Sequence, residues 1–251
     1  MPKINTLGLG TSKICEVKNP HKLIREAIRS GVFIIDTAES YCNGRAEKII
    51  GEVIREFNRE RLFIISKVSP NYLSYNLLIE HAERIKERLG TYIDALLIHE
   101  PNEKVRLGES LRAMKMLKHK GVIKMFGLSN FPLRDIIYAS KQGISLVEDE
   151  HNLLYRNNEI LRFCLKNKIG FLAYSALAGG EIFSKEYNDI LKDVGEKYSK
   201  SPSQVAIKWV LQSGAIPLIS VSSLKHLEED LDIDWNLSRE DFELLSKKIR
   251  I

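Results

Sequence analysis

The chain has 251 residues, 44% of them apolar and 28% charged, and a formal net charge of +5. That excludes a disordered chain and is enough for one large domain with its own core. No apolar run nears the roughly 18 residues of a membrane span, and Lys and Arg lie dispersed among Asp and Glu rather than in a basic block. The start, Met1-Pro2-Lys3-Ile4, lacks a basic-then-apolar signal layout. A cytoplasmic protein binding neither membrane nor nucleic acid is therefore expected. Its mild positive charge suits an anionic small molecule. Cys15, Cys42 and Cys164 are odd in number and widely spaced, which fits neither a disulfide framework nor a zinc motif. Cys164 reads as buried filler on a helix, and Cys42 as an oxidisable neighbour of Tyr41.

In chain order, Thr6 to Thr11 is a glycine-punctuated strand. Asn19-Pro20 then opens a helix, with Asn19 as N-cap and Leu23, Ile24, Ala27 and Ile28 at helical spacing. Gly31 stops it. Phe33 to Tyr41 opens as an apolar run and ends in polar residues. A helix follows through Ala46, Ile49, Ile50, Val53, Ile54 and Phe57. Phe63 to Lys67 is a third strand, Ser74 to Leu89 a helix closed by Gly90, and Ala95 to His99 a fourth strand. Gly108 to Lys120 is helical, and Lys124 to Asn130 is the fifth strand. Pro132 opens the next helix, and Ser145 to Glu150 is the sixth strand. A helix around Ile160 to Asn167 leads to Gly170 to Ser175, the seventh. Two helices follow, the second opened by Ser201-Pro202. Ile216 to Val221 is the eighth strand, followed by helices at Leu224 to Leu231 and Ser238 to Ile249. No hairpin signal joins consecutive strands, so they should be parallel with right-handed crossovers. Eight such units predict an α/β fold, a single-domain (β/α)8 TIM barrel over residues 1–251. An open doubly wound sheet is the competing topology, but Gly8-Leu9-Gly10-Thr11-Ser12-Lys13 lacks the third glycine of a dinucleotide turn.

Active sites of such barrels lie at the C-terminal ends of the strands. Asp36, Tyr41, Lys67 and His99 all map there. Each has an ordinary alternative: a turn cap, a helix-start aromatic, a solvated strand end, a rim histidine. Together they form a coherent set. A lysine cation beside a phenol lowers its pKa, Asp36 holds the lysine in place, and Tyr41 then gives a proton to a carbonyl oxygen that His99 orients. Such a set lacks a reductant, and no metal set is visible, so an organic cofactor is implied.

The strings Asp36-Thr37-Ala38-Glu39-Ser40-Tyr41-Cys42-Asn43-Gly44-Arg45-Ala46-Glu47, Gly127-Leu128-Ser129-Asn130-Phe131 and Tyr174-Ser175-Ala176-Leu177-Ala178-Gly179-Gly180 resemble the aldo-keto reductases. So do Ile216-Pro217 and Ser222-Ser223-Leu224-Lys225-His226-Leu227-Glu228-Glu229. The resemblance spans nearly the whole chain. It implies a barrel that reduces aldehydes and ketones to alcohols with NADP(H), NAD(H) being the less expected cofactor. The implied catalytic set is Asp36, Tyr41, Lys67 and His99. Ser129 and Asn130, with Glu148 near them, would bond the nicotinamide carboxamide, and Tyr174 would stack on its ring. Gly10 and Thr11 would lie near the cofactor, and Ser175, Leu177 and Gly179 beside the pyrophosphate. Ser220, Val221, Ser222, Lys225, His226, Glu229 and Asp230 would hold the adenosine phosphate. Free amides at the start of the helix near Ser223 suit a phosphate independently.

Departures from that pattern carry expectations too. Glu148, in Glu148-Asp149-Glu150-His151-Asn152, stands where the family usually has Gln; as a carboxylate it would favour the oxidised cofactor. His226 stands where Arg or Lys is common, with Lys225 to compensate. The chain ends soon after its last helix, which implies a wide, unselective mouth, and a leading hairpin looks missing or reduced. Two other readings stay open: a non-catalytic NADP(H)-binding regulator on the same fold, and an aldolase-type barrel with Lys67 as Schiff-base lysine. A small-molecule aldehyde or ketone is the expected partner, with a monomer favoured over an oligomer.

Overall fold

The structure is a computed structural model and describes residues 7–249. Eight strands pair in chain order: β1 (Gly8–Gly10), β2 (Ile34–Asp36), β3 (Phe63–Val68), β4 (Ile93–Ile98), β5 (Ile123–Ser129), β6 (Leu146–Glu150), β7 (Gly170–Tyr174) and β8 (Ile216–Ile219). All neighbours are parallel, and β8 closes on β1. The crossovers are α1 (Pro20–Arg29), α2 (Arg45–Ile54), α3 (Tyr75–Leu89), α4 (Leu107–His119), α5 (Leu133–Ser140) and α6 (Asn158–Lys166). Two helices, α7 (Lys185–Glu196) and α8 (Pro202–Gln212), fill the gap before β8. Helices α9 (Leu224–Asp230) and α10 (Arg239–Lys248) follow it. This is the expected (β/α)8 barrel.

The local sequence explains each part. Helix α1 buries Leu23, Ile24, Ala27 and Ile28, the stripe its spacing predicts. Helix α8 starts on a capping box, Ser201 accepting from the Gln204 amide and Gln204 from that of Ser201. Strand residues alternate between two environments. One set, including Ile35, Ile64, Leu96 and Ile98, packs outward against the helices. The other, Ile34, Ile65, Ala95, Leu97, Leu146, Leu172, Ile216 and Leu218, fills the barrel lumen. Where β5 meets β6 there is no room for a side chain: a Cβ on Gly127 would lie 2.1 Å from the Leu146 carbonyl oxygen and 2.8 Å from Leu97 Cδ2.

Several expectations change. Element ends shift by a residue or two. The run Phe33 to Tyr41 is strand only over β2. Its polar half bends into a 3₁₀ turn, Tyr41–Gly44, in which Cys42 (φ 52°) and Asn43 (φ 55°) are left-handed. The expected helix through Phe57 therefore begins only at Arg45 and ends at Ile54. Cys15 and Cys42 are not separate thiols but a disulfide, with Cα atoms 6.5 Å apart. Their 27-residue separation hides this, because pairing of β1 with β2 brings the two following loops together. A disulfide sits less readily with a reducing compartment than three thiols would. Cys164 is free and buried, as expected. Thr6, Met1 to Ile4 and the question of a leading hairpin lie outside the described residues. Among the described residues no helix is long and apolar enough to cross a membrane.

Gly127→Ala should lower unfolding stability by about 3 kcal/mol in a urea titration, the upper end for overpacking, because backbone blocks the new methyl. A thiol assay on the denatured, unreduced chain should find Cys164 alone, and all three cysteines only after reduction.

Candidate active site

The lumen alternation places the site. Two residues beyond Ile34, Ile65, Leu97, Leu146 and Leu172, the same inward face presents Asp36, Lys67, His99, Glu148 and Tyr174. All five lie at the C-terminal end of the barrel, where the apolar filling stops and a cavity of about 570 Å³ begins. Tyr41 joins them from the turn after β2.

Lys67 is fully buried and is the centre of the set. Its Nζ donates to Asp36 Oδ1 at 2.5 Å, to the Thr37 carbonyl at 3.2 Å and to Tyr41 Oη at 3.4 Å. Glu148 Oε1 lies 3.3 Å from the same nitrogen. The Tyr41 and His99 rings meet edge to face at 5.9 Å. Ser40 Oγ lies 3.5 Å from His99 Nδ1, so the imidazole is tied on that side. The turn bearing Tyr41 is anchored from behind: Glu39 accepts from the Ser69 amide at 2.8 Å and pairs with His81 Nδ1 at 2.6 Å. Beside Lys67, Ser66 Oγ donates to the buried Glu47 at 2.6 Å, and Glu47 also accepts from Arg88.

The electrostatics differ from the sequence expectation in two respects, at Tyr41 and at Glu148. Tyr41 is pushed up to about 12 rather than down: burial raises it, Lys67 lowers it, and Asp36 and Glu148 raise it again. The lysine effect is real, but desolvation and two carboxylates outweigh it. Burial lowers Lys67, yet Asp36, Glu148 and Tyr41 together leave it raised, a fixed ammonium. His99 is held down near about 4 by burial and by Lys67, so it is a neutral imidazole at pH 7. Burial and the neighbouring Asp36 push Glu148 up to about 8, against the pull of Lys67. Asp36 is also raised by burial, but it holds the closer contact to Lys67, so the pair's proton rests on Glu148. A neutral Glu148 does not attract an oxidised ring; the tilt expected from its charge belongs only above about pH 8.

The aldo/keto reductase family model matches residues 6–250. The chain belongs to that family. Glyoxal reductase of Bacillus subtilis is 31% identical over 94% of this chain and 86% of its own length. Among solved structures, a thermostable aldo-keto reductase in complex with epalrestat superposes with a TM-score of 0.90. It is 33% identical, over 96% of this chain and 93% of that one. An aldo-keto reductase from Klebsiella pneumoniae in complex with NADP and acetate gives 0.88, at 26% identity over 97% and 91%. Such reductases are NADP(H)-dependent oxidoreductases acting on carbonyl compounds.

The reductase cavity joins residues from several strand ends and loops. It runs from Asp36, Tyr41 and His99 past Tyr174 along Ser175, Leu177 and Gly179, to Gly10, Ile219 and Ser220. A Cβ on Gly10 would approach Ser220 Oγ to 3.1 Å, so glycine keeps that floor open. The Glu148 carboxyl shares a side-chain hydrogen bond with Asp36, and its buried Oε2 accepts no protein donor, so a carboxamide could donate there. Asn130 is in the expected place but already engaged: its amide nitrogen donates to the His99 carbonyl at 3.1 Å and to Ser129 Oγ at 3.0 Å, and its Oδ1 accepts from Tyr174 Oη at 2.8 Å. What stays open there is the Ser129 hydroxyl proton and one Asn130 lone pair.

Some expected cofactor residues stand elsewhere. Thr11 is buried, its hydroxyl donating to the Asp36 carbonyl at 2.8 Å, so it fixes β1 to β2 rather than facing the cavity. Glu229 accepts from Ser203 on α8 at 3.1 Å, and Asp230 and Val221 are buried; none lines the cavity. Ser222, just before α9, and Lys225 and His226, in its first turn, are exposed, and Ser223 caps the His226 amide. Sequence reasoning passed over Ser12, Lys13, Glu100 and Phe183 at the mouth. Their only signal was position in the loops after strands. It also passed over Ser40, although its motif was in view.

Because the folded Glu148 carboxyl sits above its unfolded value, the folded state holds the extra proton between about pH 4.5 and 8. Stability from this group is present at the acid end and falls as pH rises through that window. Glu148→Gln should therefore gain melting temperature over the native chain at pH 9, and the gain should shrink toward pH 5.

Proposed function

We propose that this reductase converts aldehydes and ketones to alcohols with NADPH, reversibly, Tyr41 giving the proton. One observation carries the reading: the Tyr41 hydroxyl lies 3.4 Å from a buried ammonium, at the floor of a cavity that His99 also lines. When bound, the reduced nicotinamide supplies a hydride to the carbonyl carbon. The carbonyl π bond breaks, and the oxygen takes the proton from Tyr41 Oη. A phenol at about 12 is still the acid in this exchange. The developing alkoxide is roughly as basic as hydroxide, far more basic than a phenolate. Lys67 stabilises the phenolate left behind, and solvent returns its proton.

His99, neutral at pH 7, serves as a hydrogen-bond partner that orients the carbonyl rather than as a cation. Asp36, Lys67, Ser129, Glu148 and Tyr174 frame the nicotinamide end. Lys225 and His226, exposed in the first turn of α9, suit the 2′-phosphate of NADP. Small aldehydes are the first substrates to try, in view of the glyoxal reductase among the relatives. The Schiff-base reading loses support, because an amine held as a fixed ammonium between carboxylates is no nucleophile.

Tyr41→Phe should cut kcat for NADPH-dependent reduction of glyoxal or a benzaldehyde by at least about 100-fold, while NADPH affinity, followed by quenching of protein fluorescence, stays within about twofold. Full activity in the variant would remove Tyr41 as the acid. No activity in either protein, with cofactor bound, would favour a regulatory role.

A further inference from the structure

Lys67 has more acidic partners than its charge requires. Asp36 at 2.5 Å already neutralises it. Glu148 brings a second carboxyl to 3.3 Å from the same nitrogen and shares a side-chain hydrogen bond with Asp36, both of them buried. Tyr41 Oη is the third oxygen on that ammonium, at 3.4 Å. The phenol therefore shares its only cation with two acids. The ionisable groups facing Tyr41 and Glu148 are Asp36 from β2, Lys67 from β3, His99 from the end of β4 and Tyr174 from β7, with Lys13 and Glu100 at the mouth. Only Lys67 among the inner groups is cationic, since His99 is neutral.

We propose that Glu148 is a positioning residue of the proton-transfer step: once ionised, it is a second counter-ion on Lys67 that keeps the Tyr41 phenol in its protonated, donating form. The inference rests on the reading of Tyr41 as proton donor. The signs follow from Coulomb's law. Above about pH 8 Glu148 is ionised, so it carries its full charge in the alkaline range where the phenol titrates. A carboxylate near a phenol disfavours phenolate, and it also occupies the ammonium that would otherwise favour it. Carbonyl reduction needs the phenol and alcohol oxidation needs the phenolate. Glu148 thus extends the reductive working range toward high pH and delays the onset of oxidation. Nothing in the step's atom balance changes: the proton still passes from Tyr41 Oη to the substrate oxygen.

The test reads Tyr41 directly. Tyrosinate absorbance is titrated in the native chain and in Glu148→Gln, each against the same chain carrying Tyr41→Phe, so that the difference isolates Tyr41. Removing the charge should bring Tyr41 ionisation down by about one pH unit or more, and the alkaline limb of kcat/KM for reduction should move down with it. Glu148→Asp, which keeps the charge, should hold the native midpoint. Glu148→Met, also uncharged, stands in if the Gln chain does not fold and must shift the same way. An unshifted midpoint in the uncharged variants, no Tyr41 signal in them up to alkaline unfolding, or an Asp variant that shifts as far as the Gln one would each overturn the proposal. The titration needs neither substrate nor cofactor, so its failure is separate from that of the catalytic reading. That reading falls if Tyr41→Phe alone leaves reduction intact.

Discussion

A single ammonium, out of contact with water, organises the catalytic end of this barrel. Isolated, Lys67 would shed its proton rather than stay charged in the interior. Asp36, Glu148 and the Thr37 carbonyl hold the charge there. The arrangement is not an efficient way to stabilise a fold, since apolar side chains of equal volume often do as well, while removing one partner of a buried pair costs about 3–5 kcal/mol. What the charge does supply is a fixed field at Tyr41 Oη, delivered by a side chain with no freedom to move. In the proposed function, that field is the electrostatic preorganisation of the proton transfer.

The barrel turns this local requirement into a geometry. Parallel strands with a two-residue period give every lumen-facing side chain a fixed height and direction. Ile34 and Asp36, Ile65 and Lys67, and Leu146 and Glu148 are pairs on one face of one strand, so the apolar floor and the polar site are built by the same alternation. Parallel registers align Asp36 with Ile65 and Ser129 with Glu148, which sets how far apart the groups can be. Gly127 lets β5 come close enough to β6 for Ser129 and Glu148 to meet. Tyr41, which comes from a turn, depends on a second buried polar system behind it, through Glu39, Ser69 and His81. Each carboxylate oxygen there has a donor, so the turn is held by hydrogen bonds that cannot exchange with water without exposing charge.

Strand order, and the polar residues that meet at the C-terminal end of the barrel, were readable because their signals are periodic and local. An apolar run that ends in a charged residue says where a strand leaves the core. What depended on distances between elements was not readable. The Cys15–Cys42 bridge joins loops whose proximity follows from β1–β2 pairing and not from spacing in the chain. The direction of the Tyr41 shift depends on how much desolvation accompanies the lysine, and a sequence names neighbours without their burial. Asn130 lines the cavity, and its side chain also bonds the His99 carbonyl and the Tyr174 hydroxyl, a coupling between elements that the sequence does not show. Thr11 and Glu229 were drawn from motif position, and their hydroxyl and carboxylate turned out to bond scaffold partners.

The role of Glu148 follows from charge counting. With Asp36 and Lys67 alone the inner site is neutral, and the ammonium acts on the phenol with only one competitor. A glutamine beside them would leave that balance unchanged while keeping both hydrogen-bonding directions. A glutamate reproduces the same neutral site only while it is protonated, and above about pH 8 it adds a net negative charge to a cavity floor with no other cation at that depth. Two pH regimes are thereby built into one position. In the lower regime Glu148 can donate to a carbonyl, and the site behaves as a neutral cradle. In the upper regime it opposes phenolate formation and attracts positive charge. A residue that only filled space would show neither regime, which is why the carboxyl group, rather than its volume, must carry the effect.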